Sequence, residues 1–123
     1  MRRLNAVAAT MLGLLCAVPA WAGDPVKGER LFRAQCATCH SPHPGLNLIG
    51  PSLAGVHGRA YGAAPGYRYT GATPDAAVVW DDATLDKYIA DPKSVLPHGT
   101  MLYAGLRDPA QRADIVAYLQ TLP

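Results

Sequence analysis

No apolar run in this 123-residue chain is long enough for a membrane-spanning helix. The nearest candidate, Leu4 to Val18, is interrupted by Asn5 and Thr10 and falls short of the ~18 residues such a span needs. Arg2 and Arg3 precede it, and Ala20-Trp21-Ala22 follows with a small-x-small pattern. Residues 1–22 are therefore expected to be a signal peptide cleaved after Ala22. A lipoprotein signal at Cys16 is disfavoured, because Leu15 stands where a small residue is wanted.

Removing 22 of 123 residues leaves 101, enough for one small domain over 23–123. The mature segment lacks a surplus of either charge. Two of the 11 basic residues leave with the signal, so 9 basic residues face 9 acidic ones. Nucleic-acid binding then loses its main driving force, and none is expected. No stable membrane anchor is expected after cleavage either. Internal repeats, low-complexity tracts, linkers and alternating strand patterns are all missing. Of three cysteines only Cys36 and Cys39 survive, too close in sequence for a disulfide between them to stabilise much.

What those two thiols do survive in is Cys36-Ala37-Thr38-Cys39-His40, the C-x-x-C-H pattern of covalent haem attachment. Two thiols at this spacing suit the two vinyl groups of a porphyrin, and the adjacent histidine can donate a ring nitrogen to the iron. A thioredoxin-like redox pair would want a βαβ unit around the motif, and none is visible. A zinc site would need two further ligands at metal spacing, and no second Cys-x-x-Cys or His-x-x-x-His follows.

A sealed haem iron needs a second axial ligand. Met1 and Met11 belong to the N-terminal segment, which leaves Met101. It lies in Pro97-His98-Gly99-Thr100-Met101, a stretch that reads as loop. His98, three positions away, is the alternative; thioether ligation raises the potential and bis-histidine ligation lowers it. His43 and His57 read as polar loop residues.

Three helices are legible. The first spans about Asp24–Ala37, with Asp24 as N-cap and Pro25 opening it. The second spans about Asp82–Asp91, where Leu85, Tyr88 and Ile89 share one face and Pro92 follows. The third spans about Pro109–Leu122, capped by Asp108, with Gln111 at the capping-box position. Residues 41–69 carry many prolines and glycines and read as loop wrapped around the cofactor, whose burial would supplement a thin core. The fold class expected is all-α, with three to four helices and long loops around one haem.

In the mature segment the pattern resembles the class I c-type cytochromes, close to mitochondrial cytochrome c and its soluble bacterial relatives. The resemblance covers about Asp24 to Leu122. It is carried by the pentapeptide, Gly50-Pro51-Ser52-Leu53, Gly58-Arg59, Ala64-Pro65-Gly66-Tyr67-Arg68-Tyr69, Trp80, Tyr88, Asp91-Pro92-Lys93, Met101-Leu102-Tyr103-Ala104-Gly105 and Ile115-Val116-Ala117-Tyr118-Leu119. It implies a cytochrome c domain with one covalent haem c, thioether-linked at Cys36 and Cys39, and His40 and Met101 as axial iron ligands. It implies that the Pro51 carbonyl holds the other imidazole N–H, and that Arg59, Tyr69 and Trp80 surround the inner haem propionate. Tyr88 would pack near Met101, Tyr103 beside the exposed haem edge, and Gly28 and Tyr118 at the crossing of first and last helices. Departures are also visible. Only Lys27, Lys87 and Lys93 remain where mitochondrial members have a lysine-rich face, and Asp81, Asp82, Asp86 and Asp91 fall near the docking side. Ser41-Pro42-His43-Pro44 differs from the family pattern, and the stretch between His40 and Pro51 is one residue short. Gly99 and Thr73 stand where polar side chains often surround the methionine.

The function expected is a periplasmic one-electron carrier, monomeric, exchanging electrons with redox protein partners, and not an enzyme. The alternative is an electron-transfer subunit of a periplasmic oxidoreductase complex. A haem peroxidase or sensor would require Met101 to leave the iron.

Overall fold

The computed structural model describes residues 22–71 and 77–123. The signal-peptide reading and Thr73 lie outside the described residues, apart from Ala22 itself. The expectation of an all-α fold is met: four helices, and among the described residues no strand beyond the isolated bridge of Ala60 with Val79. Helix α1 spans Pro25–Gln35, α2 Asp82–Ala90, α3 Pro92–Val95 and α4 Pro109–Leu119. None of the helices among the described residues is long and apolar enough to cross a membrane.

Capping chemistry sets the helix starts. Asp24 Oδ1 accepts from Val26 N at 2.9 Å, and Asp108 Oδ1 accepts from Ala110 N at 2.9 Å. Each occupies the N-cap ahead of a proline whose missing N–H is no loss there. The ends differ from the sequence expectation by up to three residues. Helix α1 stops at Gln35, because the N–H groups of both Cys36 and Ala37 turn back to Phe32 O and tighten the end. Helix α4 stops at Leu119, where Gln120 closes it. The reciprocal capping-box contact from Gln111 is not formed among the described residues.

Helix α3 makes up the fourth helix that the expected fold class allowed, at a place where the sequence reads only as a stop. Asp91 ends α2 in an extended conformation, as a residue before proline should, and its carboxylate then caps α3 at Lys93 N.

The core forms where α1 crosses α4 and α2 leans on α4. Phe32, Ile115 and Val116 are the most deeply buried side chains, with Leu85, Leu96, Leu119, Val56 and Trp80 around them. Phe32 and Tyr118 pack at a tilt of 55° with ring centroids 5.2 Å apart. Helix backbones come this close only because Gly28 has no side chain: a Cβ there would lie 1.9 Å from Asp114 O. Gly28 and Tyr118 thus sit at the helix crossing. Asp24 N donates to Asp114 Oδ1 at 2.8 Å, tying the two ends of the domain ninety positions apart. Arg112, nearly buried, pairs with Asp86 at 2.7 Å and donates to the carbonyls of Leu106 and Arg107. It so fixes α2, α4 and the segment that leads down from Met101.

Candidate functional site: a cavity between the pentapeptide and the Met101 loop

Cys36 caps the C-terminal end of α1, and the next residues turn tightly: Cys39 N and His40 N both donate to Cys36 O. This turn sets Cys36, Cys39 and His40 on one wall of a cavity of about 390 Å³. Met101, Tyr103, Tyr88, Arg59, Tyr69, Trp80 and Pro51 line the same cavity. All ten residues singled out in the sequence therefore meet in one space. His98 does not: it is exposed and absent from the lining, as are His43 and His57. Among the described residues no group of three or more His, Cys, Asp or Glu side chains gathers to hold a metal, so the zinc alternative finds no further ligands.

The two cysteines are free and half-buried. Burial, with Cys39 nearby, pushes the Cys36 thiol up to about 11. Before any ligand is attached it is a neutral, protected thiol rather than a reactive thiolate.

His40 Nδ1 donates to Pro51 O at 2.8 Å. A carbonyl can only accept, so the proton belongs on Nδ1 and the Nε2 lone pair is left for a metal. Burial lowers the imidazole pKa, and the Pro51 hydrogen bond offsets that only partly. The ring is thus held neutral, the form that ligates. Gly50 makes room for it: a Cβ at that position would fall 2.2 Å from His40 Cε1. Gly50 N is itself bonded to Cys39 O at 2.8 Å, so the loop is stitched to the motif it cradles.

Elsewhere on the lining, the Tyr88 hydroxyl donates to Met101 Sδ at 3.7 Å. Lys93 Nζ donates to Gly99 O and steadies the loop two residues before the sulfur. Tyr103 OH donates to Gln35 Oε1 at 2.5 Å, closing that loop onto the end of α1.

The third wall is aromatic and cationic. Arg59 donates from Nη1 to Ala54 O at 2.9 Å and from Nη2 to Ser52 O at 3.1 Å. Its buried Nε has no partner. Tyr69 accepts from Ala64 N at 3.1 Å and keeps its own proton to donate. A buried guanidinium with an orphaned N–H wants an anion, and a carboxylate at this wall would satisfy it. The cavity thus offers what a haem requires: two thiols, a neutral imidazole, a thioether, an apolar lining and donors for a propionate.

Sequence reading missed several contributors. Tyr61 packs edge-on against Tyr69 and Trp80, with centroids 5.3 and 6.4 Å away. Tyr67 packs on Tyr69 at 4.8 Å and donates to Ile49 O. Asn47 bridges the loop, accepting from Ser52 N and donating to Pro65 O. The signal was the density of tyrosines over 61–69, of which the resemblance took in only 64–69 and gave Tyr67 no place. The acidic residues noted near the docking side are engaged inside the fold. Asp81 and Asp91 cap helices, Asp86 pairs with Arg112, and Asp82 accepts from Gln120 and pairs with His57.

Comparison with known proteins agrees with this geometry. The family model described as cytochrome c matches residues 25–123. Cytochrome c2 of Rhodopila globiformis is 48% identical over 100 residues, covering 81% of this chain and 94% of that protein. Cytochrome c of Euglena viridis is 43% identical over 100 residues, covering 81% and 98%. The solved structure of cytochrome cH from Methylobacterium extorquens superposes with a TM-score of 0.72 at 39% identity, covering 80% of this chain and 99% of that one. The cytochrome c-like fold is thereby established, with haem c covalently bound and Cys36 and Cys39 in the attachment motif. The protein is a haem-containing electron carrier, and the chain belongs to the class I c-type cytochromes of the cytochrome c family.

Proposed function

We propose that residues 1–22 direct export and are removed, and that residues 23–123 work as a monomeric periplasmic carrier of single electrons with His40 and Met101 as axial ligands. The observation that carries this is the pairing of the His40 Nδ1–Pro51 hydrogen bond with Met101 Sδ on the lining of the same cavity. When bound, haem supplies a one-electron couple. The residues hold it: Cys36 and Cys39 by thioether bonds, Arg59 and Tyr69 by donors for a propionate, Trp80, Tyr88 and Tyr61 by apolar packing. Two protein ligands leave no open iron position, which argues against catalysis at the metal. Electrons pass at the mouth, where Tyr103 stands beside Cys36. Export is supported by Arg2, Arg3, the apolar run and Ala20-Trp21-Ala22, and by the fact that c-type haem is attached outside the cytoplasm.

An optical redox titration of the purified mature protein tests this directly. The expected result is a single one-electron transition, with the weak red-edge band of a methionine–iron(III) bond in the oxidised form. Met101→Ala should abolish that band, lower the potential and create carbon monoxide binding. An unchanged spectrum in Met101→Ala would refute methionine ligation.

A second reading makes the chain an electron-transfer subunit of a periplasmic oxidoreductase. The balanced charge of residues 23–123, 9 basic against 9 acidic, favours keeping it. Size-exclusion of native extract separates the two: recovery only in a stoichiometric complex would select the subunit.

A further inference from the structure

The rim of the cavity is formed by uncharged side chains, two of them large and apolar. Residues that both line the cavity and are exposed mark its rim: Gln35, Ile49, Thr70, Thr100 and Leu102. Leu102 is fully exposed, at 101% of its reference area, and Ile49 is 75% exposed. Leu46 and Leu48, next to Ile49, are exposed as well. Isolated exposed apolar side chains are ordinary, but a run of them beside a functional opening is not. The six large exposed apolar residues of the described chain include four here.

Charge is missing from the same two lips. Residues 34–58 contain no Asp, Glu, Lys or Arg, and neither do residues 94–106. The first stretch includes the whole pentapeptide and the Leu46–Ile49 loop; the second includes Met101, Leu102 and Tyr103. Lys93, just before the second stretch, spends its ammonium on Gly99 O. Arg59, which ends the first, is half-buried and bonded to two carbonyls.

We propose that the partner docking at this mouth is a redox protein whose own contact face is apolar and uncharged, with Leu46, Leu48, Ile49 and Leu102 forming this chain's side of the contact. The inference rests on the electron-carrier function and deepens it. An acidic or basic docking face would find no complement here and would lose its water without compensation. Association is then driven by dehydration of apolar surface, which salt does not screen. A lipid surface is the poorer occupant, since the two lips themselves carry no lysine or arginine to hold anionic headgroups. A second copy of this chain is the poorer occupant too, because it would bury the opening through which electrons leave.

The test is voltammetry of the mature holoprotein on gold coated with methyl-, carboxylate- or amine-terminated alkanethiols. The expected result is the largest electroactive population on the methyl layer, at the midpoint of the dissolved protein. It should persist from about 0.01 M to about 1 M salt, while the Debye length falls from about 30 Å to about 3 Å. Leu46→Lys with Leu48→Lys, neither of which lines the cavity, should cut that population several-fold. Leu46→Asn with Leu48→Asn should cut it without adding charge. A preference for either charged layer that disappears with salt would overturn the proposal, and so would equal signals from the variants. Two further results would overturn it by naming another occupant: dimers in sedimentation that Leu102→Lys abolishes, or flotation with phosphatidylcholine vesicles. A mediated titration of the dissolved protein showing no one-electron couple would instead refute the carrier function itself.

Discussion

Tyr103 and Gln35 are 68 positions apart in sequence, yet the phenol hydroxyl donates to the amide oxygen across 2.5 Å. One residue follows Met101 by two, and the other directly precedes Cys36. The bond therefore joins the loop carrying the thioether to the helix end carrying the thioether-forming cysteine. It closes the cavity as a latch closes a lid.

Breaking the latch should loosen the Met101 loop before it unfolds the domain. Tyr103→Phe and Gln35→Leu each remove one partner, at a cost of about 1 kcal/mol. The double variant should cost clearly less than the two singles combined, the mark of a shared interaction. Denaturant titration followed at the methionine–iron band and, separately, by far-ultraviolet circular dichroism checks this. The variants should lose the band at lower denaturant than they lose helix.

Tyr88 acts on the sulfur itself. Its hydroxyl donates to Met101 Sδ, and under the proposed methionine ligation a donor there withdraws electron density from the sulfur. Electron-poor ligation favours the reduced iron. Tyr88→Phe keeps the ring packed on Trp80, whose centroid lies 4.8 Å away, and removes only the donor. The potential should fall relative to the native protein, and an optical redox titration measures it.

Gly50→Ala tests the cradle under His40. The added Cβ would fall 2.2 Å from the imidazole, so either the ring or the backbone at Pro51 must shift. The His40–Pro51 bond should lengthen, with a drop in stability of about 1–3 kcal/mol typical of overpacking. Thermal unfolding of the holoprotein reads the stability, and the imidazole N–H resonance in NMR reads the hydrogen bond.

Asp81 gives a pH signature. Hydrogen bonds from the Thr84 side chain and backbone N–H hold its carboxyl below the usual carboxylate range, with His57 a minor contributor. A folded pKa below the unfolded one means the stabilisation is complete above the unfolded value and is lost as pH falls through the folded one. Asp81→Asn keeps a cap without a titrating group. Melting curves between about pH 7 and about pH 2 should therefore show a shallower acid decline for the variant.

Much of this was legible in the chain, and the reasons are local. Asp24-Pro25 and Asp108-Pro109 announce two helix starts, because an aspartate cap and a proline at the first helical position need nothing from the rest of the fold. Asp91-Pro92 is the same signal, yet there the proline read only as a stop. It is both, ending α2 and opening α3. The pentapeptide fixes three cavity residues because covalent attachment demands that spacing. Tyr61, Tyr67 and Asn47 were harder to find, since their places depend on how residues 41–71 coil, and no periodicity governs a loop. Arg59 shows the limit well. Its type and position were readable, but the unpartnered Nε that marks it as an anion site exists only once Ala54 and Ser52 have claimed the other nitrogens.

The crossing of α1 and α4 has a consequence for assembly. Phe32 finds its cover on Tyr118, and Asp24 finds its partner at Asp114, so the first helix is completed only by residues of α4. A chain emerging N-terminus first cannot settle α1 until α4 has emerged, and contacts so distant in sequence form late. Throughout that interval Cys36 and Cys39, directly after α1, have no finished wall to shield them. Until α4 has docked, the two thiols stay open to modification, and the wall that half-buries them closes only afterwards.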